Sequence, residues 1–340
     1  MAERERNNVA VIGAGPAGLA AAVSAAGALK TTVVDAYGAG GSAPATPVIN
    51  SYPGFMDGVS GADLTRRIYE QAQRLGATFA LMNPAVGLST RDGEHTVTLA
   101  DGTTISTRVV VIATGVAYRT LGVPSVDKLI GAGVTYADAV AEPATLAGQE
   151  VFIVGSTPAA AQAALELAKH ASSVTMVVRA GSLDAGVPAA LAKEVDRTRN
   201  IRVRVNTQVV EGFGEGRLEG VRLRHRVSGT IEAARTRALV IMMGADPNTE
   251  WLKGSMLRDP AGYLITGTEL WRNGRWPDEW AAERAPLLLE TSVPRVFAAG
   301  DVRRGAVRRV TSAILEGMLA ITLAREALRE HAQSTVGAAS

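Results

Sequence analysis

Residues 9–27 read VAVIGAGPAGLAAAVSAAG and decide the fold of this chain. An apolar run typical of a β-strand leads into a glycine turn and then into small residues with helical character. Gly13, Gly15 and Gly18 form the pattern G-x-G-x-x-G, which allows a tight turn, close backbone approach to a pyrophosphate and close helix packing. Asp35 ends the next apolar run, twenty residues beyond Gly15, at the spacing expected of a ribose-binding carboxylate. The stretch predicts a dinucleotide site.

The composition limits the chemistry that this chain can perform. With 340 residues and 47% apolar residues, two buried cores and two domains are expected. The absence of cysteine excludes disulfides, a thiolate nucleophile, cysteine-ligated metals and a dithiol that could shuttle electrons within the chain. The formal net charge is only +2, so we expect no nucleic-acid partner. Glycines and a proline interrupt the uncharged run 9–29, so we expect no membrane association and a cytoplasmic location.

The second half of the chain repeats the plan of the first. EVFIVGSTPAAAQAALELAKH (150–170) again reads as strand, glycine turn and helix, and each half later contains a hairpin-like stretch before another buried strand. This repeat predicts an α/β fold of two Rossmann-like, three-layer dinucleotide-binding domains, with the second inserted into the first. The predicted domain bounds are 1–118 with 246–340, and 119–245.

Several stretches give the chain a more specific resemblance. VIATG (111–115) and VFAAGD (296–301) recur in flavoproteins with two dinucleotide sites. With GGSAPATPVINSYPGF (40–55) and GVTYADAVAEPATLAGQEVFIVG (133–155), they make the chain similar, over nearly its full length, to the low-molecular-weight thioredoxin reductase family. The resemblance implies a thioredoxin reductase-like fold and a homodimer.

The same resemblance implies that the first domain binds FAD. It implies contacts to the pyrophosphate by the first glycine turn, to the adenosine ribose by Asp35 and to the ribityl chain by Asp301, and it implies that the last helix opens against the flavin ring. Ser42 and Ser51 depart from the glutamine and asparagine that are usual in the family. The implied cofactor-binding residues are Gly13, Gly15, Pro16, Ala17, Gly18, Asp35, Gly41, Ser42, Ser51, Ala113, Thr114, Gly115, Gly300, Asp301, Val310, Thr311 and Ala313.

The second site departs from the family pattern in two ways. Ala137, Val140 and Ala141 occupy the positions of the family's C-x-x-C pair and the acidic residue that follows it, as in a cysteine-free subgroup of relatives. In the second glycine turn, Thr157 adds a side chain and Pro158 removes an amide donor. We therefore expect the second domain to bind NAD(P)H weakly or not at all.

These observations lead to an expected function and two alternatives. The first expectation is an FAD-dependent oxidoreductase, not a disulfide reductase, whose flavin oxidises a small organic substrate and passes electrons to dioxygen or another acceptor. The alternatives are an NAD(P)H-dependent reductase that supplies a ferredoxin, a quinone or a small oxidant, and a non-catalytic FAD-binding sensor. Tyr136 and Asp138 are the candidate catalytic residues, as hydrogen-bond donor and base, but for Asp138 helix capping is the favoured role.

Two further features are expected to be peripheral. The insertion ELWRNGRWPDEWAAERAP (269–286) holds three of the four tryptophans, and it could cover a substrate cavity or pack on its own domain or on a dimer partner. The four histidines have charged neighbours and no metal-ligand spacing, so we expect solvated faces and no metal site; they are His95, His170, His225 and His331.

Overall fold

The structure is a computed structural model that describes residues 7–136, 143–278, 280, 282 and 284–337. The chain divides into two compact units. The first consists of Met1–Pro44, Val59–Ala117 and Asp246–Ser340, and the second of Ala45–Gly58 and Tyr118–Ala245. The chain thus leaves the first unit, builds most of the second, and returns to complete the first.

The first unit is built on a seven-stranded sheet of order β3-β2-β1-β6-β5-β4, in which β17 also pairs with β6. The strands β1, β2, β3, β6 and β17 run parallel, and the hairpin of β4 and β5 joins β6 in antiparallel orientation. The register places Val9 opposite Thr31 and Val109. The strand bounds are β1 (Asn7–Ile12), β2 (Thr31–Val34), β3 (Thr78–Ala80), β4 (Ala85–Arg91), β5 (Glu94–Leu99), β6 (Thr104–Ile112) and β17 (Val296–Ala298).

Among the described residues, this unit has three α-helices: α1 (Pro16–Ala26), α2 (Gly61–Arg74) and α6 (Val310–Gly337). The central strands are buried apolar runs, as parallel strands covered by helices require. The hydroxyl of Ser60 accepts a hydrogen bond from the Asp63 amide at 3.0 Å and so caps α2. α1, by contrast, has no side-chain cap.

The second unit contains a five-stranded parallel sheet of order β11-β10-β9-β15-β8 and a three-stranded antiparallel sheet of order β12-β13-β14. A short ribbon of β7 and β16 is formed where the chain passes between the units. The bounds are β7 (Val116–Tyr118), β8 (Val134–Tyr136), β9 (Glu150–Val154), β10 (Ser173–Val177), β11 (Ile201–Arg204), β12 (Thr207–Phe213), β13 (Gly220–His225), β14 (Ile231–Arg235), β15 (Ala238–Ile241), β16 (Ala245–Pro247), α3 (Pro124–Asp127), α4 (Pro158–Ala168) and α5 (Ala189–Arg197).

The predicted fold class is confirmed: each unit has a sheet with parallel central strands, and the strand–turn–helix pattern recurs in both as β1-α1 and β9-α4. The uncharged run 9–29 forms a strand, a turn and a helix. Within the part of the chain that the structure describes, no helix combines the length and the hydropathy that crossing a bilayer would require.

The expectation for His95 is wrong. This residue lies on β5 with no exposed surface, because the alternation of that strand puts it on the same face as Val97 and Leu99. Its Nδ1 lies 2.8 Å from the Thr90 hydroxyl. Burial, with a smaller contribution from the charge of Arg295, lowers the pKa of His95 to about 4. The residue is therefore part of the folded interior and remains neutral at physiological pH.

Candidate cofactor site

The turn between β1 and α1 depends on glycine for steric reasons. Gly13 has a φ of 111°, and a Cβ at this position would overlap the carbonyl oxygen of Ala113. A Cβ at Gly18 would likewise overlap the carbonyl oxygen of Gly13. The Gly13 amide donates to the Val34 carbonyl at 2.7 Å. The turn is thus held against the ends of β2 and β6 with no room for side chains.

The first turn of α1 presents free backbone donors. Gly15 is its N-cap in extended conformation without a capping side chain, and Pro16 is its first residue. The first amides of a helix have no intrahelical acceptor, and together with the helix dipole they attract an anion. Gly41, with a φ of 59°, packs on this turn, where an added Cβ would lie 2.9 Å from the Gly15 Cα. The turn and its covering loop form a cradle lined by backbone.

The carboxylate of Asp35 lies beside this cradle. One oxygen accepts a hydrogen bond from the Ala14 amide at 2.6 Å, and the other accepts one from the Tyr37 amide at 2.8 Å. These bonds fix the carboxylate at the end of β2 next to the glycine turn. Each oxygen keeps a second lone pair, so the group can still accept hydrogen bonds from a ligand hydroxyl.

The N-terminal turn of α6 meets that of α1. A Cβ added at Gly300 would lie 3.1 Å from the Cβ of Ala17 and 3.7 Å from that of Ala313. A Cβ at Gly317 would overlap the Ala17 carbonyl oxygen, so the two helices touch backbone to backbone. Two positive helix ends therefore converge beside Gly300.

A partly buried ion pair holds the turn that contains Gly300. Glu316, on α6, accepts the Gly300 amide at 2.7 Å and pairs with Arg303 at 2.6 Å. Both side chains are largely buried, at 14% and 18% exposure. The sequence analysis missed Glu316; its one signal was a carboxylate in an otherwise apolar first part of the last helix.

A second pairing fixes the end of β6. The Thr114 hydroxyl donates to the Asn248 carbonyl at 2.9 Å, and the Asn248 side-chain amide donates back to the Thr114 carbonyl at 2.9 Å. Gly115 follows with a φ of 62°. Asn248 was not among the predicted site residues, because its partner lies 134 positions away in sequence.

The remaining predicted cofactor residues have the following places. Ser42 is exposed next to Gly41, and Asp301 is half-buried next to Gly300. Val310 is the first residue of α6, and Thr311 follows it. Ser51 belongs to Ala45–Gly58, which groups with the second unit.

The glycine turn of the second unit differs from the first at one group. Thr157 is the N-cap of α4, and its hydroxyl accepts a hydrogen bond from the Ala160 amide at 3.2 Å. A Cβ at Gly155 would overlap the Met242 carbonyl oxygen, so the tight turn itself is kept. A Cβ at Gly186 would overlap the Ser156 carbonyl oxygen, so a second loop lies against this turn. The helix end that would meet a phosphate is already capped by its own side chain.

Tyr136 ends the edge strand β8 of the second unit. Its hydroxyl is buried and has no hydrogen-bond partner among the described residues, and its ring stacks on Tyr118 with centroids 5.5 Å apart. Burial raises the pKa of Tyr136, and the carboxylate of Asp127 raises it further. One oxygen of Asp127 is also buried without a partner. The other candidate, Asp138, lies outside the described residues.

Known proteins resemble this chain over nearly its whole length. Residues 7–317 match the model of the family described as pyridine nucleotide-disulphide oxidoreductase. Thioredoxin reductase from Peptoclostridium acidaminophilum is 31% identical over 94% of this chain and 96% of its own, and that from Streptomyces coelicolor is 32% identical over 90% and 89%. The solved thioredoxin reductase of Streptococcus pyogenes superposes with a TM-score of 0.84 at 26% identity, covering 96% of this chain and 99% of that one. The solved thioredoxin reductase of Giardia duodenalis superposes with a TM-score of 0.81 at 27% identity, covering 96% of this chain and 100% of that one.

These comparisons overturn the predicted function. The sequence analysis expected oxidation of a small organic substrate and excluded a disulfide reductase, with an electron-supplying reductase and a sensor as alternatives. The relatives are thioredoxin reductases, so the comparisons support an oxidoreductase of the disulfide-reducing class. The error was to infer from the missing cysteines that disulfide chemistry is missing, although a substrate can bring the disulfide. The chain belongs to the pyridine nucleotide-disulphide oxidoreductase family, as a thioredoxin reductase-like member without cysteine.

Proposed function

We propose that this chain is an FAD-dependent thiol–disulfide oxidoreductase that reduces a disulfide carried by its substrate. The relatives support disulfide reduction, and the absence of cysteine means that both reacting sulfurs belong to the substrate. The observation that carries the proposal is the convergence of the α1 and α6 N-termini beside Gly300. Such a pair of positive helix ends suits a ligand with a pyrophosphate at one point and an anionic ring at another.

The residues of the first unit fit FAD. In this proposal, the amides of the uncapped α1 turn bind the pyrophosphate, and the Gly15–Gly41 contact lets it approach the backbone. Asp35 would accept hydrogen bonds from the ribose, and Asp301 would bind the ribityl chain. The N-terminus of α6 would stabilise negative charge on the flavin. FAD, when bound, supplies the two-electron reduction.

The chemistry of the substrate follows from the balance of the reaction. Breaking one S–S bond takes up two electrons and two protons and releases two thiols. No mixed disulfide with the protein can form, because the chain has no sulfur nucleophile. We propose Tyr136 and Asp138 as the first residues to test for proton delivery. The hydroxyl of Tyr136 supports its part, because it has no hydrogen-bond partner among the described residues and so keeps its proton for donation to a ligand.

The reductant is proposed to be NAD(P)H, bound weakly by the second unit. The self-capped turn at Thr157 supports weak binding, because the hydroxyl takes the amide that a phosphate would use. Close after the end of β10, Arg179 offers one exposed guanidinium group for a phosphate of the nucleotide.

We also propose a homodimer, supported by Leu315 and Met318, which are 65% and 49% exposed one turn apart on α6. The cytoplasmic location is likewise a proposal.

Gly41→Val is expected to abolish the FAD site. The added side chain would occupy the contact with Gly15 and would strain a left-handed residue, so FAD uptake should fall at least about tenfold. The measurement is bound flavin absorbance per chain after reconstitution. Gly38→Ala is the matched control, because a Cβ there meets nothing within 4 Å. Equal amounts of bound flavin in both variants would show that FAD does not bind at this cradle.

Disulfide reduction can be tested without a physiological donor. The holoprotein is reduced with dithionite under anaerobic conditions and mixed with an aromatic disulfide whose thiolate is coloured. We expect the oxidised-flavin absorbance to return with two thiols released per flavin, faster than with free FAD at equal concentration. A flavin that stays reduced with every disulfide tested, yet is reoxidised on admitting air, would rule out the proposed function.

Thr157→Gly should strengthen binding of NADPH. Removing the hydroxyl frees the Ala160 amide for a phosphate, and a charge-assisted hydrogen bond of about 1.5 kcal/mol corresponds to roughly tenfold in Kd. The readout is the NADPH concentration that gives half-maximal flavin reduction. Thr157→Ser keeps the capping hydroxyl and should behave like the unaltered chain. The same Kd for glycine and serine variants would show that the cap does not limit binding.

A further inference from the structure

The insertion 269–286 carries a small hairpin at its tip, WRNGRW (271–276). Arg272 and Arg275 exchange backbone hydrogen bonds of 3.0 and 3.1 Å around Asn273 and Gly274, whose φ values are 52° and 81°. Two consecutive left-handed residues of the sequence Asn-Gly make the tight turn that best suits a two-residue hairpin. The backbone of the tip is therefore set by its own sequence.

A pair of tryptophans closes the open end of this hairpin. The rings of Trp271 and Trp276 meet edge to face, with centroids 4.6 Å apart and planes at 71°. Aromatic pairs in this geometry stabilise neighbouring strands beyond the area they bury. The hairpin is consequently ordered before it meets any partner, and an ordered surface loses little conformational entropy on binding.

The base of the insertion is anchored separately. Trp280 is only 8% exposed, and its indole donates to the Arg284 carbonyl at 2.7 Å. The guanidinium of Arg284 lies 5.5 Å from the Trp280 ring and pairs with the fully buried Glu290 at 2.6 Å. Arg284, packed on Trp280, thus attaches the insertion to the first unit through Glu290. None of the residues of the tip, 271–276, takes part in these contacts.

The tip itself presents an exposed tryptophan next to two exposed arginines. Trp271 is 50% exposed, and Arg272 and Arg275 are exposed on the same hairpin. Arg275 lies 3.5 Å from Asp278, but both side chains are at least 74% exposed, and such pairs contribute little. For Arg272, no ion pair occurs among the described residues. Tryptophan and arginine are the residues that most often dominate the energy of protein interfaces.

We propose that the hairpin 271–276 is a docking surface for an acidic protein partner. Carboxylates of the partner pair with Arg272 and Arg275, and an apolar part of its surface covers Trp271. Charge complementarity favours this occupant over a second copy of the chain, which would bring the same two arginines to the contact. Two cations are too few for the phosphate contacts of a nucleic-acid site, and the chain as a whole carries only +2. This surface is independent of the proposed disulfide reduction.

The probe is a fluorescein-labelled peptide of repeated Asp-Glu-Leu units, with a peptide of repeated Lys-Lys-Leu units as its counterpart. We expect the acidic peptide alone to bind. The double variant Arg272→Glu with Arg275→Glu should weaken its Kd at least about tenfold, and Trp271→Ala should do so by a similar factor. Fluorescence anisotropy at low salt measures these constants.

The matched control is Arg235→Glu with Arg237→Glu, which makes the same charge change at two exposed arginines of the second unit. It should leave the Kd within about twofold. The far-ultraviolet exciton signal of the coupled indoles checks that the hairpin persists in the arginine variants. Absent binding, equal binding by both pairs of variants, or tighter binding of anionic vesicles or RNA than of the peptide would overturn the proposal.

Discussion

The contact between α1 and α6 is the constraint on which the candidate site depends. Gly317 lets the backbones of the two helices touch at Ala17, and Gly300 fills the remaining space between Ala17 and Ala313. A larger residue at any of these contacts would separate the helix N-termini by displacing one axis. Glu316 stabilises the same contact through polar interactions: its carboxylate accepts a hydrogen bond from the Gly300 amide and pairs with Arg303. Small residues and one partly buried carboxylate therefore hold two positive helix ends together.

The two units show how one side chain alters a shared plan. Both have a strand, a tight glycine turn and a helix that begins with proline. In the first, Gly15 leaves the helix amides without a side-chain acceptor, whereas in the second Thr157 supplies one. Because an anion competes with the capping hydroxyl for the same donors, the difference favours phosphate binding in the first unit. The two units thus share one kind of glycine turn, and the local hydrogen bonds make the turn of the first unit the better anion-binding one.

The repeat of strand, turn and helix was predictable from sequence, because glycine spacing and apolar runs are local signals. The pairing of Thr114 with Asn248 was not, because it joins residues that only the closed sheet brings together. His95 has charged neighbours in sequence, but the alternation of β5 buries it. For function, the absence of cysteine shows that the chain has no redox dithiol of its own, but it says nothing about a disulfide in the substrate. The sequence showed that the insertion is rich in tryptophan, but only the structure shows that residues 271–276 form a hairpin with an exposed Trp271.

In the proposed cofactor site, the backbone amides of α1 bind a pyrophosphate beside the N-terminus of α6. The most direct measurement compares the affinity of the apoprotein for FAD with its affinity for riboflavin, which has the same ring and no phosphate, by quenching of flavin fluorescence. We expect FAD to bind at least about a hundredfold more tightly, since several charge-assisted hydrogen bonds are lost with the phosphates. Equal affinities would contradict it, because the ring alone would then account for binding.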